Sequence, residues 1–261
     1  MNLCRGILGV IFLACTFLFT GIHPVDPRSF ALLAVSGVLG ISIGDTLFFQ
    51  TLRNLGPRLT ALMGTMVPVI TALAAVIFLG ERPGLMAWLG IMLTACGVGW
   101  LLWEKDHSTG MAIKNRRTGI RDGILFIIAS TLGVILTKMG VKITDALSAT
   151  FIRILSGVVG LVCWGALTSR LKEGVSLFNT PSLLKKFIPI VFIGVFGGFL
   201  LFIISLQYID ASIASTLNST SALFILPMAA LIGKEKISWR AVAGACVAVI
   251  GVGLILLNHG G

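Results

Sequence analysis

The residues able to do chemistry in this chain are few, and they sit in apolar surroundings. Asp45, in SIGDTLFFQ, is an acid well inside an apolar run. An ionisable group at membrane depth is costly, which makes it a candidate functional residue. A carboxylate there could hold a cationic group or carry a proton. The competing reading is a hydrogen bond to Thr46 or a neighbouring Ser or Thr that packs helices. Lys138 ends another apolar run, with Lys142 just beyond it. Both can snorkel to an interface, or Lys138 can face an internal cavity. Arg5 and Arg153 stand at the starts of apolar runs, where interfacial anchoring, a salt bridge and anion binding all remain open. Asn218-Ser219-Thr220-Ser221 is a polar patch within a run, and helical spacing puts Asn218 and Ser221 on one face. They could line a cavity or bond between helices. Gln50 and Gln207 are weaker candidates. The substrate-binding or coupling set is therefore Asp45, Gln50, Lys138, Arg153, Asn218 and Ser221.

Catalysis finds little support. His23, His107 and His259 are far apart, and no His-Glu cluster, Walker loop or nucleophile elbow occurs. The five cysteines (Cys4, Cys15, Cys96, Cys163, Cys246) form no C-x-x-C pair, so neither a metal site nor a disulfide framework is indicated. We expect no enzyme activity, no cofactor and no metal.

The composition names the solvent in which these residues work. Of 261 residues, 56% are hydrophobic and 11% charged, and mean hydropathy is +1.02. Soluble domains carry about 25% charged residues. Nine apolar runs can each cross a bilayer as a helix. They are about Arg5 to Thr20, Phe30 to Leu52, Leu59 to Leu79, Leu85 to Trp103, Gly123 to Gly140, Phe151 to Thr168, Phe187 to Tyr208, Ile213 to Ile232 and Ala241 to Leu257. The fold class is all-α and polytopic, and 31 glycines suit close helix packing. The net charge of +10 lies in short loops, as the positive-inside rule requires, and does not point to nucleic acid. The first run could pass for a signal peptide, but the repeat described next favours a retained helix.

The chain matches itself. At one constant shift Gly40 falls on Gly194, Gly44 on Gly198, Phe48 on Phe202, Glu81 on Glu235, Gly90 on Gly244 and Gly97 on Gly251. A slightly shorter shift upstream pairs Arg5 with Arg153, Gly9 with Gly157 and Cys15 with Cys163. The unit between equivalent points holds five spans, an odd number, so the copies must lie inverted in the membrane. The charges agree. Arg53 and Arg58 correspond to uncharged Gln207 and Ser212, whereas Lys234, Lys236 and Arg240 cluster at the opposite corner. Glu81 and Glu235 mark the same corner of each copy, where an acid in the first turn of the next helix suits its dipole. Gly40-x3-Gly44 and Gly194-x3-Gly198 read as packing faces. We divide the chain into a first repeat at 1–103 (four helices), a basic inter-repeat loop at 104–122 and a second repeat at 123–257 (five helices).

The stretches GVLGISIGDTLFFQTLRNLGPRLTALMGTMVPVITALAAVIFLGERP and GFLLFIISLQYIDASIASTLNSTSALFILPMAALIGKEKISWRAVAGACVAVIGVG resemble the EamA-type transporters of the drug/metabolite transporter superfamily. Pro68 and Gly80-Glu81 fit that family's pattern in the first copy; Pro227 is displaced in the second, and Lys234 interrupts its Gly-Glu. The resemblance implies ten helices in two inverted five-helix units, a central cavity and alternating access. Here the first helix of the ten has no counterpart. The implied function is secondary transport of a small organic metabolite or drug-like solute across the cytoplasmic membrane. Its partners would be that solute, the lipid bilayer and, through Asp45, protons as a coupling ion. A membrane-embedded enzyme acting on lipid and a non-transporting truncated remnant are the alternatives.

Orientation follows from charge. One side of the membrane collects Arg5, Arg53, Arg58, the basic residues of the inter-repeat loop, Arg170, Lys172, Lys185, Lys186, Lys234, Lys236 and Arg240. The other holds Arg28, Arg82, Lys138, Lys142 and Arg153. The positive-inside rule puts Met1 in the cytoplasm and Gly261 outside; the usual family arrangement implies the reverse. Alkaline phosphatase fused after Gly261 is expected to be active. A stable but inactive fusion overturns the assignment.

Overall fold

The computed structural model describes residues 2–21, 24–104, 115–167, 181–221 and 239–259. Every regular element among them is helical. The solvent dictates this, because hydrocarbon offers backbone N–H and C=O groups no partner and a helix satisfies them internally. The elements are α1 (Asn2–Thr20), α2 (Pro27–Gly37), a π-helix (Val38–Gly44), α3 (Asp45–Gly64), α4 (Met66–Leu79), α5 (Leu85–Glu104), α6 (Arg116–Gly140), α7 (Ala146–Leu167), α8 (Pro181–Ile193), a second π-helix (Gly194–Leu200), α9 (Leu201–Tyr208), α10 (Ala211–Ser219) and α11 (Trp239–His259). Among the described residues six continuous helices are long and apolar enough to cross a membrane, and Leu85–Trp100 and Ala243–Ile255 are shorter apolar helices. The predicted span Ile213–Ile232 lies largely outside the described residues. Large apolar side chains such as Phe19, Ile77, Trp164 and Leu167 are exposed, as lipid contact requires.

Local chemistry sets the helix ends, and several starts differ from the hydropathy reading. The second span opens at Pro27 rather than Phe30, because the Asp26 carboxylate accepts from the Arg28 and Ser29 amides. α7 begins at Ala146 rather than Phe151, because Asp145 accepts from the Ser148 amide at 2.8 Å. Its polar first turns stay helical because Thr150 returns its hydroxyl to the Ala146 carbonyl. Arg153 therefore lies inside a helix and not at its start. α6 begins at Arg116, within the polar stretch between the two halves of the chain. Gly56 (φ 82°) makes the turn inside α3, and Gly80 (φ 68°) ends α4 in the left-handed region; both conformations are strained for any residue with a Cβ.

Residues cluster into two compact units, each assembled from both halves of the chain: Met1–Thr46 with Leu132–Ile209, and Leu47–Thr131 with Asp210–Gly261. In the second unit α5 and α11, the last helix of each repeat, pack against one another. A Cβ on Gly90 would come within 2.6 Å of the Gly251 carbonyl; one on Gly97 would come within 2.7 Å of the Gly244 carbonyl and 2.4 Å of the Ala248 amide. Gly244 is the repeat equivalent of Gly90, and Gly251 that of Gly97. Each glycine thus meets the other's equivalent, which is the reciprocal contact of a two-fold relation. Rising numbers on α5 meet falling numbers on α11, so equivalent helices run antiparallel. The first unit repeats this. A Cβ on Gly6 would strike Val158, while one on Gly9 would lie 3.5 Å from Ile154. Its core joins Leu8, Leu13, Ile41, Ile154, Val191 and Val195, of which Ile41 and Val195 are equivalent positions.

Association in lipid rests on van der Waals packing that small residues allow. Gly97→Leu has backbone in its way and should destabilise the protein by about 1–3 kcal/mol through overpacking. Gly253→Ala meets no described atom within 4 Å and should be neutral. Thermal unfolding of the purified protein checks both; equal midpoints for the two variants would refute the crossing.

Candidate functional site

The site begins with a change of helical pitch. From Val38 to Gly44 the backbone is π-helical, and the Asp45 amide donates to the Gly40 carbonyl five residues back. One extra residue per turn places Asp45, rather than Gly44, above Gly40. Wide turns of this kind recur at functional sites. The Asp45 carboxylate pairs with the Arg5 guanidinium from α1. Arg5 also donates to the Asn2 side-chain carbonyl at 2.9 Å, and Asn2 reaches toward the Ile41 carbonyl at 3.4 Å. The Arg5 guanidinium lies 5.5 Å from the centre of the Phe199 ring, within cation–π range. The expected partners of Asp45 are corrected here: Thr46 returns its hydroxyl to the Ser42 carbonyl, and the acid is held by an arginine.

Arg153 reaches the same turn from α7. It is 6% exposed, and its Nη2 would sit 3.1 Å from a Cβ placed on Gly40. The guanidinium acts on Asp45 through its charge but donates no hydrogen bond to it. Among the described residues Nε and Nη1 have no partner. Gly40 also packs on Gly133 of α6, 3.1 Å from its Cα when a Cβ is added there. Any larger side chain at position 40 would occupy the place of the guanidinium. The Gly40 packing face is thus real. At Gly194 and Gly198 no described atom lies within 4 Å of an added Cβ, so the packing reading finds no support there.

The repeat relates these residues to one another. Arg5 and Arg153 are equivalent, and so are Asp45 and Phe199. Each copy supplies an arginine, but only the first supplies the acid. The cluster therefore holds two guanidinium groups and one carboxylate.

The other candidates fall elsewhere. Lys138 donates to the Leu206 and Ile209 carbonyls at 2.7 and 2.8 Å, so it caps the end of α9 and does not snorkel. Gln207 donates to the Thr144 carbonyl at 2.9 Å beside it. Gln50 is half-buried on α3, while Asn218 and Ser221 are exposed at the end of α10. Ser219 and Thr220 return their hydroxyls to their own helix. Glu81 is corrected too. It precedes α5 and caps α10 instead, accepting from the Ala211 amide at 2.6 Å, the Ser212 amide at 3.2 Å and the Ser212 hydroxyl at 2.8 Å. The residue ahead of α10, Asp210, makes no side-chain cap bond of its own. Glu235 lies outside the described residues. Sequence reasoning missed Asn2 and Phe199 and read Gly40 as packing only; the equivalence of positions 45 and 199 was the available signal for Phe199.

Three comparisons bear on this arrangement. The sequence profile of the EamA-like transporter family matches residues 1–103 and 119–257. An uncharacterized transporter of Archaeoglobus fulgidus is 25% identical over 241 residues, which cover 89% of this chain and 78% of that protein. Protein RarD of Salmonella typhi is 40% identical over 78 residues, 30% of this chain and 26% of that one. A crystal structure shares the fold with a TM-score of 0.74 at 14% identity, covering 98% of this chain and 87% of the other.

The buried Glu81 cap supplies the next test. Removing an acceptor from buried donors costs about 1–3 kcal/mol. Glu81→Ala should lower the unfolding midpoint, and Glu81→Gln, which keeps one acceptor oxygen, should lower it less. A Glu81→Ala protein as stable as the parent would show that α10 does not depend on this cap.

Proposed function

We propose that this chain, which belongs to the EamA-like transporter family, is a secondary transporter that carries a small organic solute across the cytoplasmic membrane. It is a multi-pass membrane protein. In this reading the repeats at 1–103 and 123–257 act as inverted halves and expose a site alternately to each side, as inverted-repeat transporters do. The Arg5–Asp45–Arg153 cluster carries the proposal. It concentrates charge from α1, α3 and α7 inside a membrane-spanning bundle, where charge is costly and is retained at substrate and ion paths. Asp45 serves as the coupling residue and can carry a proton. Arg153 binds solute. Lys138, held by two backbone carbonyls, supports the end of α9.

The lipid-acting enzyme is the less supported reading, because among the described residues the charged cluster is one carboxylate bound by an arginine, without a second acid. Uptake into proteoliposomes separates the roles of Asp45 and Glu81. At equal membrane abundance Asp45→Asn should reduce solute flux at least tenfold, whereas Glu81→Gln should reduce it less than threefold, about 0.6 kcal/mol of barrier. Equal and mild effects would assign Asp45 to helix packing.

A further inference from the structure

We infer that the transported solute is an organic anion, and that its carboxylate or phosphate oxygens bind Arg153 in the place of an acid the second repeat lacks. The inference rests on the transporter reading above and adds the charge of the solute.

Three observations carry it. The first is the charge balance at one turn of helix: Arg5 and Arg153 converge on Gly40 to Asp45, and Asp45 is their shared carboxylate. The second is the state of Arg153. It is 6% exposed, and its Nε and Nη1 have no hydrogen-bond partner among the described residues. Buried guanidinium N–H groups left without acceptors cost free energy, and a group that supplies oxygens to them recovers that cost. The third is the repeat. In the first copy Arg5 has Asp45, while the equivalent of Asp45 in the second copy is Phe199, which presents its ring to Arg5. The acid that the repeat would supply at position 199 is absent, and an aromatic ring stands there, over Arg5.

The ligand chemistry follows. A guanidinium offers planar paired donors that fit a carboxylate or phosphate in bidentate fashion, a fit that an ammonium or an uncharged amide does not match. Arg5 is held by Asp45 and Asn2 and keeps that side occupied. With an anion on Arg153 the cluster would hold two positive and two negative groups. The Phe199 ring favours a solute with an apolar body beside its anionic group.

The test measures thermal unfolding of the full chain in detergent free of added phospholipid, against three matched sets of solutes. The anions are sodium benzoate, hydrocinnamate, succinate, phenyl phosphate and glycerol 3-phosphate. The neutral set is benzamide and hydrocinnamamide, and the cationic set is benzylamine and phenethylamine. At least one anion should raise the midpoint by several degrees, and neither other set should. The shift should vanish in Arg153→Gln and survive in weakened form in Arg153→Lys. Phe199→Glu adds a second carboxylate to the cluster from the Arg5 side, so it should raise the midpoint without solute and remove the anion response; Phe199→Gln should do neither. Carboxylates against phosphates then separate the two sources of oxygen. Stabilisation by the neutral or cationic set, an anion shift that persists in both Arg153→Gln and Phe199→Glu, or no response to any anion overturns the inference. Should Arg153→Gln fail to fold, Phe199→Glu decides alone. Failure of the transporter reading looks different: proteoliposomes would then pass no solute of any charge. A neutral or cationic solute carried equally by the parent and Arg153→Gln would keep transport and remove the anion site.

Discussion

Inside a bilayer a polar group has no water to return to, and the architecture follows from that constraint. Hydroxyls of Thr51, Thr60, Thr137 and Thr216 each bond a carbonyl four residues back on their own helix. Lys138 finds the carbonyls left open where α9 ends, and Glu81 finds the amides left open where α10 begins. Both helix-terminal sets would otherwise be buried without partners. Asp45 has Arg5. Among the described residues the buried side-chain atoms without a partner are the Thr144 and Ser148 hydroxyls and Nε and Nη1 of Arg153, and of these three residues Arg153 alone is charged. The same constraint that makes the other contacts structural makes this one a candidate for ligand binding.

The second organising feature is the two-fold relation between repeats, and it appears where backbones touch. α5 and α11 cross antiparallel through glycines that meet each other's equivalents, and Thr94 donates across the crossing to the Ala248 carbonyl at 3.5 Å. Thr94 and Ala248 are themselves equivalent residues, so this bond lies near the symmetry axis. Close approach of this kind leaves no room for divergence. That is why the glycines keep register while much of the surrounding apolar sequence does not. The ends of α3 and α10 fall within one residue of equivalent places: α3 stops at Gly64, whose equivalent is Asn218, and α10 stops at Ser219.

Much of this was legible in the sequence. Hydropathy placed the described spans, the glycine register disclosed the repeat, and the odd number of spans required the inversion seen where α5 meets α11. Asp45 was legible because an acid in an apolar run has few bland explanations. The depth of Arg153 was not. Hydropathy begins a span at its first long apolar stretch, whereas α7 starts earlier through an Asp145 cap that makes its polar first turns helical. The role of Glu81 was hidden for a different reason: its partners lie 130 and 131 residues away, and a local dipole argument sees only the helix that follows in sequence. Phe199 was hidden because a phenylalanine in an apolar run carries no signal until its equivalent is known to be an acid.

The π-turn joins these strands. Both repeats depart from α-helical pitch over overlapping stretches: Val38–Gly44 in the first, whose equivalents are 192–198, and Gly194–Leu200 in the second. A wide turn weakens the helix locally, so its presence in both copies means that the departure belongs to the repeat itself rather than to one sequence. In the first copy it lifts Asp45 over Gly40, where Arg5 and Arg153 meet it. In the second copy the equivalent position carries Phe199, whose ring faces Arg5. The frame is therefore common to both halves, and the charge is not. A symmetric frame with two acids would close both arginines into ion pairs and leave nothing for a solute to do. Exchange of one acid for an aromatic ring keeps the packing of the frame and frees one guanidinium. On the reading proposed here, the asymmetry at positions 45 and 199 is what separates a structural salt-bridge pair from a binding site.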